Sequence, residues 1–178
     1  MTRFREWALV SLVAVAAAGA GYGYHLWRNA PEGSRGNAEG LSALMTLPLP
    51  DLDNKLQRIE QWRGKVVVVN FWATWCAPCR EEIPMFVRLQ QKYGERGLQF
   101  IGIAIDQPDK VRPYAVELGM NFPILIGGVE TIELTRKLGN RIGALPYTVV
   151  LDRQGKVVMT QIGAAKEAKF EPALASLL

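Results

Sequence analysis

Apolar and polar residues alternate along this chain in blocks whose spacing changes, and each change marks an element. Lys65 to Trp72 (KVVVVNFW) is a near-continuous β-branched run, the pattern of a central strand buried on both faces. Cys76 to Tyr93 then spaces Ile83, Phe86, Val87 and Leu89 at helical intervals among polar residues. Gly97 to Asp106 reads as a second buried strand, Lys110 to Leu118 as a helix and Phe122 to Ile126 as a short strand. Glu130 to Leu138 is helical in pattern, and Tyr147–Leu151 and Val157–Ile162 are two strands joined by the turn Asp152-Arg153-Gln154-Gly155. Ala165 to Leu178 closes the chain as an amphipathic helix. Before all this, Leu44 to Arg63 mixes short apolar pieces with Pro48, Pro50 and Asp51-Leu52-Asp53-Asn54, which predicts a small hairpin and a short helical turn. The order β-α-β-α-β followed by a hairpin predicts an α/β fold, a mixed central sheet with helices on both faces.

The N-terminus follows a different pattern. Trp7 to Trp27 is free of Asp, Glu, Lys and Arg over 21 positions, and as a helix would extend about 30 Å, enough to cross a bilayer core. A cleaved signal peptide with small-residue sites at Ala16-Ala17-Ala18 or Ala18-Gly19-Ala20 is the alternative. Retention as one transmembrane helix is favoured because apolar character continues beyond those sites, and Tyr22, Tyr24 and Trp27 resemble an interfacial belt. Arg3 and Arg5 ahead of the span place the N-terminus in the cytoplasm and the rest outside. Residues 29–43, rich in Gly, Ser, Ala and charge, are expected to be a flexible linker. The expected domains are therefore an anchor over 1–28, the linker over 29–43 and a globular domain over 44–178.

Composition narrows the function. The 178 residues are 49% hydrophobic and 21% charged, ordinary for a folded domain, and the net charge is +4. With Arg3, Arg5, Arg28 and Glu6 set aside, 18 basic and 16 acidic residues remain, interspersed, which excludes a nucleic-acid-binding face. The single histidine, His25, lies in the apolar span, so the globular part has no imidazole for a catalytic base or a Cys/His zinc site. No metal site is expected.

Both cysteines, Cys76 and Cys79, stand three positions apart at the end of the valine-rich strand. Cys-x-x-Cys beside a β-α-β pattern is the mark of a thiol-disulfide redox site. Cys76 falls where the helix starts, where unpaired N–H groups and the positive end of the helix dipole stabilise a thiolate. Cys79, one turn further in, is on the same face and more shielded, the position of a resolving thiol. A structural staple is the weaker alternative, since so short a loop removes little unfolded-state entropy. Transient Cu(I) binding by the pair is another. No cofactor is expected beyond the redox-active Cys76–Cys79 disulfide itself.

The stretch VVVVNFWATWCAPCREEIP, residues 66–84, resembles the active-site region of the thioredoxin fold, and residues 44–178 resemble its membrane-anchored TlpA/ResA/CcmG-like branch. The resemblance rests on Phe71-Trp72-Ala73, on Trp75-Cys76-Ala77-Pro78-Cys79, on Pro84, and on GALPYTVVLDRQGKVV at residues 143–158. It implies a thioredoxin-like fold with an N-terminal hairpin and an inserted helix-strand between Asp106 and Phe122. It implies a cis bond at Pro146, packed beside the disulfide, with the backbone of Leu145 open to an extended client segment. Trp75, Ala77 and Pro78 then shape the surface on which the client docks. Where thioredoxin has a buried Asp in the strand before the site, this chain has Asn70, which cannot titrate; many of the TlpA/ResA-like proteins carry a Glu at the position of Glu82.

Glu82 itself admits two readings: a solvated acid in the first turns of a helix, like Glu81, or a carboxylate beneath the dithiol that holds and releases the proton of Cys79. The second is favoured because no His and no buried Asp fills that role. Ala77 and Pro78 between the cysteines do little to stabilise a thiolate, which favours a reductant over a strong oxidant. The resemblance implies a DsbD/CcdA-type membrane electron donor and clients such as apocytochrome c thiols or the copper-site cysteines of respiratory oxidase assembly. The expected location is a bacterial inner membrane, with the domain on the periplasmic side. The rivals are a redox-linked copper-binding chaperone, against which Met1, Met45, Met85, Met120 and Met159 are unclustered, and a peroxiredoxin-like peroxidase. The latter requires Thr or Ser three positions before its cysteine, whereas Thr74 lies two before Cys76.

Overall fold

In a computed structural model, residues 32–178 are described, together with Gly19 and Gly21. The span expected over Trp7 to Trp27 lies, those two glycines apart, outside the described residues. Among the described residues no helix is long and apolar enough to cross a membrane.

The valine run forms the strand the pattern predicts, Val66–Trp72, with all seven residues buried. In chain order the elements are helix α1 (Glu32–Thr46), strands β1 (Leu49–Pro50) and β2 (Leu56–Gln57), a 3-10 turn (Ile59–Trp62), β3 (Val66–Trp72), α2 (Ala77–Tyr93) and β4 (Leu98–Ala104). They continue as α3 (Pro108–Glu117), β5 (Ile124–Ile126), α4 (Thr131–Lys137), β6 (Tyr147–Leu151), β7 (Val157–Ile162) and α5 (Glu167–Ala175). The main sheet has the order β5-β4-β3-β6-β7. β3 pairs parallel with β4 and antiparallel with β6, which puts it at the centre. β5 runs parallel to β4, and β6 and β7 form the expected antiparallel hairpin. β1 and β2 make the small N-terminal hairpin.

Strand alternation sorts the core onto two faces. Val67, Val69 and Phe71 of β3 point to one face, where they pack with Ile101 and Ile103 of β4, Leu44 and Met45 of α1 and Leu134 of α4. Val66 and Val68 point to the other, against Phe86 and Leu89 of α2 and Phe170 and Leu174 of α5. Trp72, also on that second face, joins Cys76, Cys79, Ile83 and Val111 of α3 in a third cluster at the end of the sheet. Helices therefore cover both faces.

One expectation is corrected. Residues 29–43 are not a flexible linker through most of their length, because α1 starts at Glu32, and the compact unit runs from Gly36 to Leu178 rather than from Leu44. The glycines that suggest a linker have another use here. Gly40 is buried against the end of α4, where a Cβ would lie 2.7 Å from the Lys137 carbonyl carbon. That approach seats Leu41, Leu44 and Met45 on the core, and Lys137 Nζ reaches Glu39 at 2.5 Å.

Gly40→Ala tests this packing by its sign. In an exposed helix interior the change stabilises by about 1 kcal/mol, whereas overpacking costs about 1–3 kcal/mol. A net loss of about 1–2 kcal/mol is expected in urea unfolding of the variant, and a gain would show that α1 does not dock at this point.

Candidate active site

β3 ends at Trp72, the chain turns through Ala73-Thr74-Trp75, and α2 begins with Cys76 at its N-cap in an extended conformation, φ −91° and ψ 99°. The Cys76 carbonyl accepts the N–H groups of Cys79 and Arg80 at 3.1 and 3.2 Å, the first bonds of the helix. Pro84 lies inside α2, one turn beyond Arg80. Cys76 and Cys79 are joined as a disulfide with Cα atoms 5.3 Å apart. Cys76 retains 6% exposure and Cys79 none. The cysteine at the helix N-terminus is thus the less buried of the two. Around it Trp75 is 67% exposed, Ala77 and Pro78 are exposed, and Trp72 is wholly buried.

Beneath the pair lies a polar cluster sealed from water. Glu82, one turn after Cys79 on the same face of α2, is 3% exposed. Its Oε1 accepts from Asn70 Nδ2 at 2.8 Å, and its Oε2 accepts from the Ala165 N–H at 2.7 Å. Asn70 Nδ2 also donates to Thr148 Oγ1 at 3.0 Å, across the β3–β6 register pair Asn70↔Thr148. Burial pushes the Glu82 carboxyl up to about 7, partly offset by the Ala165 N–H and the Asn70 amide, which favour its charged form. Of the two sequence readings of Glu82, the solvated one is ruled out by this burial. Glu82 is a buried carboxyl one helical turn after the inner cysteine, raised by that burial toward neutral pH.

The wall opposite the disulfide comes from the segment before β6. The Leu145–Pro146 bond is cis, Pro146 is buried, and Leu145 packs against the cluster that contains both cysteines. The Pro146 carbonyl accepts from the Gly163 N–H at 2.9 Å. Among the described residues, neither the N–H nor the carbonyl of Leu145 takes part in a hydrogen bond with another backbone group. Pattern reading passes over the residue that shapes this loop. Asn140, fully buried, donates from Nδ2 to the Ala144 carbonyl at 2.8 Å and accepts the Ala144 N–H on Oδ1 at 3.1 Å. It also passes over Thr148 and the pair Thr74–Asp106. An Asn in a turn-rich stretch, and a strand Thr facing a strand Asn, were the available signals. Among the described residues no group of three or more His, Cys, Asp and Glu side chains is placed to hold a metal ion.

A thioredoxin-like sheet that carries Cys-x-x-Cys at a helix N-terminus, faced by a cis-proline loop, defines a thiol-disulfide oxidoreductase. The chain belongs to the Redoxin family, whose model matches residues 29–177, and within it to the TlpA/ResA/CcmG-like thioredoxin-fold proteins. It is 34% identical to the thiol-disulfide oxidoreductase ResA of Bacillus thuringiensis (strain Al Hakam) over 122 residues, 68% of either chain. Against ResA of Halalkalibacterium halodurans the identity is 29% over 171 residues, covering 95% of this chain and 93% of the other. The solved structure of a thioredoxin-family thiol:disulfide interchange protein from Chlorobium tepidum TLS superposes with a TM-score of 0.64 at 31% identity, over 73% of this chain and 94% of that one.

The Glu82 environment makes a prediction about stability and pH. A carboxyl whose folded value lies near 7, against an ordinary 4.5, binds its proton more tightly folded than unfolded. Its contribution is therefore full below pH 4.5 and is lost as the pH rises toward 7, on the order of 3 kcal/mol across the window. Glu82→Gln should flatten that fall in unfolding free energy between pH 4.5 and 7; a parent-like slope in the variant would contradict the assignment.

Proposed function

We propose that this oxidoreductase is an exported, membrane-anchored reductant of protein disulfides. The observation that carries the reading is the buried Glu82, near half-ionised at neutral pH and one helical turn below the inner cysteine. A staple disulfide has no use for such a group. A dithiol that must lose a proton from a buried thiol does.

In the reduced protein the Cys76 thiolate, stabilised at the start of α2, attacks one sulfur of a client disulfide. The client S–S bond breaks, a Cys76–client bond forms, and the other client sulfur leaves as a thiolate that takes a proton from water. Glu82 accepts the proton of Cys79, and the Cys79 thiolate attacks Cys76 Sγ. The Cys76–Cys79 disulfide closes and the second client sulfur leaves as a thiolate, protonated in turn. Two electrons have moved from the protein's dithiol to the client. Trp75, Ala77 and Pro78 form the exposed rim on which the client rests, and the free backbone of Leu145 pairs with an extended client segment as an added strand does.

Direction follows from charge. Apart from the helix dipole, no imidazole supports a thiolate, and the ionised Glu82 opposes one, so the dithiol is not strongly stabilised and readily gives up its electrons. Such a protein in an oxidising compartment needs recharging, and a DsbD/CcdA-type membrane donor fits that need. Apocytochrome c thiols or oxidase copper-site cysteines fit as clients. The support for these partners, and for a periplasmic domain on a retained inner-membrane helix, is the motif resemblance and the uncharged stretch from Trp7 to Trp27.

Cys79→Ser should accumulate a mixed disulfide between Cys76 and its clients, visible as high-mass bands that vanish on reduction, whereas Cys76→Ser should not. The inverse pattern would reverse the two roles, and adducts from neither would remove the protein-disulfide substrate. For the anchor, mass spectrometry of the membrane fraction should find peptides from the Trp7–Trp27 segment in the mature protein. A soluble form that starts near Gly19 or Gly21 would show that the segment is only a signal.

A further inference from the structure

The exchange chemistry leaves a second buried acid beside the site unused. β4 ends against β3, with the Ile105 N–H donating to the Trp72 carbonyl at 2.8 Å, and this sets Asp106 opposite the turn Ala73-Thr74-Trp75-Cys76. The Asp106 side chain is 6% exposed. Its Oδ2 accepts from Thr74 Oγ1 at 2.5 Å, and Thr74 is itself 7% exposed. Its Oδ1 accepts the Gln107 N–H at 2.8 Å, and Lys110 Nζ lies 3.8 Å from the same oxygen. Burial pushes this carboxyl up, but the bonds from Thr74 and Gln107, with the charge of Lys110, outweigh it and hold the group below its ordinary value. Asp106 is therefore an anion at neutral pH.

The turn it grips carries no glycine or proline; within it the Cys76 N–H donates to the Ala73 carbonyl at 3.2 Å, and from across the sheet Asp106 holds Thr74. We propose that Asp106 is the positioning residue of the redox pair: by gripping Thr74 it fixes the turn that presents Cys76, and its charge disfavours the Cys76 thiolate, which biases the pair toward giving up electrons. The logic is the inverse of a strongly oxidising site, in which stabilised thiolate favours the reduced form. The proposal deepens the reductant reading but rests only on the Cys76–Cys79 couple, so it stands apart from the client and from the direction of flow in the cell.

The test uses the full chain and three variants. Asp106→Asn keeps an acceptor for Thr74 but loses the charge; Thr74→Val loses the grip with the charge in place; Thr74→Ser restores the hydroxyl. Equilibration of the Cys76–Cys79 pair with dithiothreitol should shift about tenfold toward the dithiol in Asp106→Asn, about 30 mV for a two-electron couple. The pH midpoint of Cys76 alkylation should fall with it. Thr74→Val should slow reduction of a peptide disulfide about tenfold, and Thr74→Ser should return it to within about twofold of the parent, because the rate of a reacting group falls steeply when it is misplaced. A dithiothreitol equilibrium for Asp106→Asn within about twofold of the parent overturns the proposal whether or not Thr74→Val folds, as does a Thr74→Ser variant as slow as Thr74→Val.

Discussion

Everything in this molecule is arranged around a strand that has no solvent on either side. β3 buries all seven of its residues, and a strand in that position must be covered by helices on both faces and paired on both edges. Its C-terminal end is then a place where a chain leaving the sheet starts a helix against the core. Cys76 stands there, and the redox pair inherits its burial, its helix N-terminus and its orientation from the strand before it. Asn70 in the same strand adds a further constraint. A buried amide needs partners, and its Nδ2 finds Glu82 and Thr148. Satisfying one strand residue thus brings a carboxylate beneath the thiols.

The site balances opposing charges. The N-terminus of α2 favours a thiolate at Cys76, and two shielded carboxyls lie near it, Glu82 one turn after Cys79 and Asp106 on the hydroxyl of Thr74. The two acids differ because their surroundings differ. Glu82 is enclosed by α2, the sheet and Ala165, and its value rises to about 7. Asp106 is less enclosed, accepts from Thr74 and Gln107 beside Lys110, and stays ionised. The first carboxyl is held near neutral pH, and the second remains a charge there.

The loops are coupled through a few bonds. The connection after β7 donates from Gly163 to the Pro146 carbonyl and from Ala165 to Glu82, so the wall that meets the client and the floor that holds the proton share one segment. Asn140 ties the start of the cis-proline loop to Ala144 in the same way. The bonds from Gly163 and Ala165 are long-range and those of Asn140 local, and together they tie down short stretches with no regular structure of their own.

From the sequence alone, β3, α2, β4 and the β6–β7 hairpin were legible, because burial on both faces leaves an unbroken apolar run and a four-residue turn announces its hairpin. The cysteine pair was legible too, since a spacing of three at a strand-to-helix junction places one residue at the helix start and the other a turn inside. Helix α1 was not, because Gly40 and its neighbours look like a linker until α4 is there to receive a residue without a side chain. The state of Glu82 was open for the same reason: its donors come from positions 12 and 83 residues away, and only their convergence excludes water. Thr74 meets Asp106 across 32 residues. Local pattern records which side chains a chain can bury, but the pKa of an acid and the grip on a turn depend on what packs over them, and that was decided by the tertiary fold.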